Sequence, residues 1–259
     1  MKNNEMKDVS GFMIDMDGTV YKGNDVIKGA PEFIERLKKS KTPFVFLTNN
    51  SSSYREYYLN KLLRMGFDVT IDDILTSTTA TIGYLMKHHS GKKVYPVGTP
   101  KFIEEIENAG IPINDKDPDI VLLAFDTTIT YEKINNAYQF IKKGAIFIAT
   151  HPDDLCPTEN GYDVDIGPFI RLLESMTGTE AIVIGKPNRL MAEMAAEKMN
   201  VPLSGTVMVG DRIYTDMKMA SDSGIRSILV LSGEAKEDDV NGMKTRPTMI
   251  VNSVDEILR

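Results

Sequence analysis

Short runs of β-branched and aromatic residues alternate along this chain with amphipathic segments of helical spacing. The runs fall at residues 9–14, 44–47, 94–98, 120–125, 145–149, 181–184, 206–209 and 228–231. The helical segments fall at 30–39, 53–65, 74–88, 131–142, 169–176, 188–199 and 215–223. Strands bridged by helices are the signature of α/β units around a parallel sheet. Residues 30–39 show the pattern well: Phe33, Ile34 and Leu37 share one helical face, and Pro31 suits the first turn.

The stretch between Thr48 and Lys186 is far longer than one crossover needs, and it carries strands and helices of its own. Residues 80–180 are therefore expected to form a second domain, inserted into a core made of residues 1–79 and 181–259. A chain of 259 residues, 42% apolar and 26% charged, has the profile of an ordinary soluble globular protein. A net charge of −7 disfavours a general binder of nucleic-acid polymers, while a local basic pocket for a small anion stays open. Cys156 is the one cysteine, so there is no intramolecular disulfide and no multi-cysteine zinc site. No apolar run has the length of a signal peptide or a membrane span, which makes a cytoplasmic location and no membrane partner the expectation.

Polar residues collect where the strands end: Asp15 and Asp17 after the first, Thr48 after the second, Lys186 after the sixth and Asp211 after the seventh. In an open α/β sheet, ligands bind outside the carboxyl ends of the strands. Each residue taken alone also has a plain structural explanation. Asp15 and Asp17 before Gly18 suit a turn, Thr48 and Asn49 suit a helix cap, Lys186 suits a solvated loop, and Asp216 suits a helix first turn. Together they suggest more. Two carboxylates at a buried strand end are costly unless a cation neutralises them, and a hard divalent ion, Mg²⁺ before Zn²⁺, matches an all-oxygen set with no neighbouring His or Cys. A metal, a lysine, a hydroxyl and a pair of acids are the parts that phosphoryl transfer requires.

The segment Asp15-Met16-Asp17-Gly18-Thr19, with Thr48 in Leu47-Thr48-Asn49-Asn50, Lys186 in Gly185-Lys186-Pro187, and Gly210-Asp211-Arg212 followed by Thr215-Asp216, resembles the four motifs of the haloacid dehalogenase superfamily. The resemblance implies a Rossmann-like three-layer core with a parallel sheet, and an inserted α/β cap of the C2 type. It implies that Asp15 is the nucleophile and Asp17 the acid/base. Thr48 and Lys186, with Asn49 and Asn50, would bind phosphate. Mg²⁺ would be held by Asp15, the carbonyl of Asp17, and Asp211, with Asp216 in support. Residues 47–51, 149–153 and 210–216 look most like the NagD-like, p-nitrophenyl phosphatase-like branch, subfamily IIA, and the likeness runs from about residue 9 to about 255.

The implied activity is Mg²⁺-dependent hydrolysis of small phosphate monoesters, a sugar phosphate or a nucleoside monophosphate, through an aspartyl-phosphate. Asp17 favours ester hydrolysis, because dehalogenases of the superfamily lack an acid/base there. A phosphate-binding protein without turnover on the same fold is the alternative. A dinucleotide-dependent oxidoreductase is disfavoured, since no Gly-x-Gly-x-x-Gly follows the first strand. His151 departs from the Asn of many relatives. Whether His151, Asp126 and Asp165 face the pocket stays open, as does a homodimer formed through the cap.

Overall fold

A computed structural model describes residues 8–158, 161–243 and 245–257. The first half of the chain carries β1 (Gly11–Asp15), β2 (Tyr21–Lys22), β3 (Asp25–Val26), α1 (Ala30–Lys39), β4 (Phe44–Thr48), α2 (Arg55–Arg64), β5 (Ile74–Thr76), α3 (Ser77–His88), β6 (Val94–Val97), α4 (Pro100–Asn108) and β7 (Ile120–Leu123). There follow α5 (Tyr131–Lys142), β8 (Ile146–Ala149), β9 (Leu155–Thr158), β10 (Gly161–Val164), α6 (Gly167–Thr177), β11 (Ile182–Val183), α7 (Arg189–Met199), β12 (Thr206–Gly210), α8 (Lys218–Ser223), β13 (Arg226–Val230) and β14 (Met249–Val251). The chain divides into two compact units: residues 1–48, 56–75 and 186–259 form one, and 49–55 with 76–185 form the other.

The first unit is built on a sheet of order β14-β13-β12-β1-β4-β5, parallel from β14 through β4. All five residues of β1 are buried, as expected of an interior parallel strand covered on both faces. Phe12 and Ile14 point to the side of α1, where the Phe12 and Phe33 rings meet edge to face at 5.8 Å. Gly11 alternates to the other side, where Met199 at the end of α7 lies against it. A helix on each face makes three layers.

The second unit has its own parallel sheet, β11-β8-β7-β6, and an antiparallel hairpin of β9 and β10. Val121, Leu123 and Phe147 pack there against Phe140 and Ile141 of α5 and Ile170 and Leu173 of α6. The fold is thus mixed α/β, a Rossmann-like core with an inserted α/β cap unit. No helix among the described residues is long and apolar enough to cross a membrane.

Local chemistry moved several elements from their expected places. The segment 74–88 does not run as one helix. Ile74, Leu75 and Thr76 are a fully buried edge strand beside β4, and the Thr76 hydroxyl then caps α3 by accepting the Thr79 N–H at 3.1 Å. Helix α4 lies outside the helical segments expected above, although Thr99 before Pro100 announces it: Thr99 Oγ1 accepts the Phe102 N–H at 3.3 Å, and Phe102 and Ile106 are buried. Residues 215–223 open not with an α-turn but with a π-turn over Ile213–Met217.

Phe33 is fully buried in the first unit's core, and it fills a site ringed by aromatic and β-branched side chains. Phe33→Ala should lower the stability of that unit by about 3–5 kcal/mol through lost transfer energy and a residual cavity. Urea unfolding followed by far-ultraviolet circular dichroism measures this. A loss under about 1 kcal/mol would mean the core collapses around the gap.

Candidate active site

β1 lies between β4 and β12, so the ends of three neighbouring strands carry the polar residues. Register pairs Asp15 with Leu47, which sets Thr48 one step beyond on the adjacent strand, and pairs Ile14 with Val209, which sets Asp211 just beyond on the other side. Asp15 and Asp211 are buried, while Asp17 and Thr48 are half-buried. Lys186 arrives differently. The strand before it, β11, belongs to the second unit's sheet, and the turn into α7 delivers the lysine to the first unit. Lys186 is only 3% exposed and forms ion pairs with Asp15 and with Asp216, the latter at 2.8 Å.

The π-turn gives Asp216 its position. Both Asp216 and Met217 donate their N–H groups to the Arg212 carbonyl at 3.1 Å, and Asp216 Oδ2 accepts the Arg212 N–H at 3.2 Å. Inserted π-turns recur at functional sites. Gly18, with φ +90°, turns the chain directly after Asp17, and a Cβ there would overlap the Asp211 carboxylate. Thr19 Oγ1 donates to Asp15 Oδ2 at 3.3 Å.

One oxygen each from Asp15, Asp211 and Asp216 lies within 4.8 Å of the others, the one cluster of this kind found among the described residues. Asp211 Oδ2 accepts the Glu234 N–H at 2.7 Å, but its buried Oδ1 has no hydrogen-bond partner. Three buried carboxylates around one lysine, with an orphaned oxygen, fit a hard cation with oxygen ligands. The electrostatics agree. Burial pushes Asp211 up to about 8, with Asp15 and Asp216 adding to the effect. Burial also pushes Asp216 up to about 6, against the pull of Lys186. For Lys186, burial alone would lower the ammonium, yet Asp15 and Asp216 outweigh it and raise it. Asp17 is raised by burial and then by Asp15, and Lys61 opposes both. Lys61 Nζ stands 3.9 Å from the centre of the Tyr21 ring.

Asn49 and Asn50 fall in the second unit. Asn49 Nδ2 donates to Asp153 Oδ1 at 3.0 Å, and its carbonyl accepts the Ser77 hydroxyl at 2.6 Å. Asn50 Oδ1 accepts the Ser52 N–H and hydroxyl at 2.9 and 2.7 Å, while its Nδ2 donates to Cys156 Sγ at 3.6 Å. His151 is fully buried in the same unit. Its Nε2 lies 3.2 Å from Ser51 Oγ, and Asp153 and Asp165 flank the ring at 3.9 and 3.7 Å. Asp126 pairs with Lys133 at 2.6 Å and accepts the Thr128 N–H at 2.8 Å.

Sequence reasoning missed one element of the site: the turn after β13. Ser232 Oγ donates to the Gly18 carbonyl at 2.7 Å, and the Ala235 N–H donates to the Asp211 carbonyl at 3.1 Å. The only cue was a Ser-Gly pair closing a buried strand, which reads as an ordinary turn.

Two family matches cover the core motifs: haloacid dehalogenase-like hydrolase over residues 12–112 and HAD-hydrolase-like over residues 183–257. The chain is 32% identical over 251 residues to the 5′-nucleotidase YutF of Bacillus subtilis, covering 97% of this chain and 98% of that protein. It is also 32% identical over 253 residues to the sugar-phosphatase AraL of the same organism, covering 96% and 92%. The crystal structure of a 4-nitrophenylphosphatase from Thermotoga maritima superposes with a TM-score of 0.93 at 38% identity, covering 98% of each chain. The chain belongs to the haloacid dehalogenase superfamily, in its NagD-like, p-nitrophenyl phosphatase-like branch (subfamily IIA), and is a phosphoric monoester hydrolase.

Proposed function

We propose that this phosphatase is magnesium-dependent, acts on small phosphorylated metabolites, and works through an aspartyl-phosphate formed on Asp15. The observation that carries the reading is the placement of buried Asp15 at a strand end, ion-paired to Lys186 and within cation-binding reach of Asp211 and Asp216. Mg²⁺, held by the side chains of Asp15 and Asp211 and the carbonyl of Asp17 with Asp216 in support, would offset the charge of the carboxylates and the phosphoryl group.

Lys186 and the Thr48 hydroxyl hold the phosphoryl oxygens, which sets the phosphorus in line with an oxygen of Asp15. The Asp15 oxygen forms a bond to phosphorus as the ester P–O bond breaks, and Asp17 gives its proton to the departing oxygen. The burial that raises Asp17 suits it to carry that proton. Water then attacks phosphorus, Asp17 takes the water's proton, and the acyl-phosphate P–O bond breaks to release phosphate and restore Asp15. The relatives, a 5′-nucleotidase and a sugar-phosphatase by name, support a nucleoside monophosphate or a sugar phosphate as the ester. The inserted unit, as the cap, is the expected source of leaving-group selection.

Asp15→Asn should remove turnover by roughly 10⁴-fold or more, because the amide is no nucleophile, without lowering the thermal melt. Phosphate release from p-nitrophenyl phosphate with Mg²⁺ present measures it. Wild-type turnover in the Asn variant would sink the assignment, and a wild-type protein inert to a broad ester panel would point to a binding protein instead.

Protonation and the cation should compete at Asp211. Its ordinary value of 3.8 is pushed up to about 8, so the folded protein without metal keeps a proton that the unfolded chain releases. The stability this group contributes is fully present below about pH 4 and is lost as pH rises through about 8. In EDTA the melting temperature should therefore fall on going from about pH 5 to about pH 8.5. Added Mg²⁺, which needs the ionised carboxylate, should raise it more at the higher pH. An equal Mg²⁺ shift at both pH values would refute this coupling.

A further inference from the structure

The turn Ser232-Gly233-Glu234-Ala235 contributes no group to the phosphoryl-transfer scheme, yet it is fastened to the site at three points. Ser232 Oγ holds the Gly18 carbonyl at 2.7 Å, the Glu234 N–H holds Asp211 Oδ2 at 2.7 Å, and the Ala235 N–H holds the Asp211 carbonyl at 3.1 Å. We infer that Glu234 and Gly233 are positioning residues for the Asp211 carboxylate, fixing which of its two oxygens is offered to a divalent cation. The inference rests on the metal reading given under Proposed function.

The geometry divides the labour between the two oxygens. Oδ2 is committed to a backbone donor in a charge-assisted hydrogen bond, and Oδ1, buried and without a hydrogen-bond partner, is left for a ligand. Gly233 makes this approach possible. A Cβ at that position would overlap the Asp211 Cγ and Oδ2, so any larger residue must displace either the turn or the carboxylate. The Glu234 side chain then secures the turn to the segment that carries Asp211. Its Oε2 accepts the Tyr214 hydroxyl at 3.0 Å and stands 3.2 Å from Arg212 Nε. The backbone of one residue thus holds the Asp211 carboxylate while its side chain holds the segment that follows Asp211. Outer-shell partners of this kind set ligand orientation, and their loss typically weakens metal affinity by about 10–100-fold.

Glu234 is well placed to separate positioning from stability. Its side chain is 39% exposed and buries little apolar surface, so its truncation should cost the fold little. The test compares wild type, Glu234→Ala and Gly233→Ala in the full chain. Calorimetric titration with MgCl₂ without substrate gives the dissociation constant directly, and turnover of p-nitrophenyl phosphate is followed against Mg²⁺ concentration. Both variants should bind Mg²⁺ about tenfold or more weakly. In Glu234→Ala, the melt in EDTA should match wild type, and turnover with the wild-type KM should return at saturating Mg²⁺. If Gly233→Ala does not fold, Glu234→Ala decides alone. A wild-type Mg²⁺ constant in Glu234→Ala would overturn the inference while leaving the metal reading intact. A wild type that does not bind Mg²⁺ would overturn both.

Discussion

The ion pair between Lys186 and Asp15 is the constraint around which the core is arranged. An isolated carboxylate at the end of a fully buried strand would cost several kcal/mol and would take up a proton rather than stay charged. One lysine paired with Asp15 and Asp216 removes part of that cost, and it stays protonated because two carboxylates face it. It does not remove all of it. Asp211 stands in the same cluster without a cationic partner of its own at Oδ1, and its raised proton affinity is the unfinished part of the charge balance. In the mechanism proposed above, a bound cation would complete that balance.

The fold supplies that site through register. Placing β1 between β4 and β12 puts three strand ends side by side, so Asp15, Thr48 and Asp211 converge without any loop having to reach. What the sheet cannot supply, turns do. Gly18 swings the chain away after Asp17, the π-turn after Asp211 brings Asp216 back to pair with Lys186, and the turn after β13 closes over Asp211.

Much of this was legible in the chain. The helices at 30–39 and 131–142 appear at their expected residues because apolar spacing and terminal charge agree there, with Pro31 in the first turn of one and Thr130 capping the other. The strand that ends at Asp15 is legible because its apolar run is too short for a helix and stops at a turn signal, Gly18. Periodicity failed where a few residues had to choose. Ile74-Leu75-Thr76 continue a helical pattern but are claimed by the sheet edge, and the choice depends on contacts with β4 that lie far away in sequence. The role of the turn after β13 was hidden for a related reason: Asp211 is held there by the backbone N–H groups of Glu234 and Ala235, and backbone donors are the same for every residue type.

The same distinction explains why the class of reaction could be read while the substrate could not. Chemistry on phosphorus needs charges of fixed kind at fixed strand ends, so Asp15, Asp17, Lys186 and Asp211 leave a recognisable spacing. Selection of a leaving group needs only surfaces that fit it, and these can be built from many residue types. The polar residues of the second unit illustrate the ambiguity. The sequence leaves open whether His151, Asp126 and Asp165 face a ligand. In the fold, Asp126 is neutralised by Lys133 and Asp165 accepts the Ile166 N–H at 2.7 Å, while His151 meets Ser51 through Nε2 and its buried Nδ1 has no hydrogen-bond partner. A buried polar residue such as Asp126 or Asp165 must be satisfied whether or not a ligand ever meets it, so its presence in a sequence carries far less functional information than three buried carboxylates gathered at one place, as Asp15, Asp211 and Asp216 are.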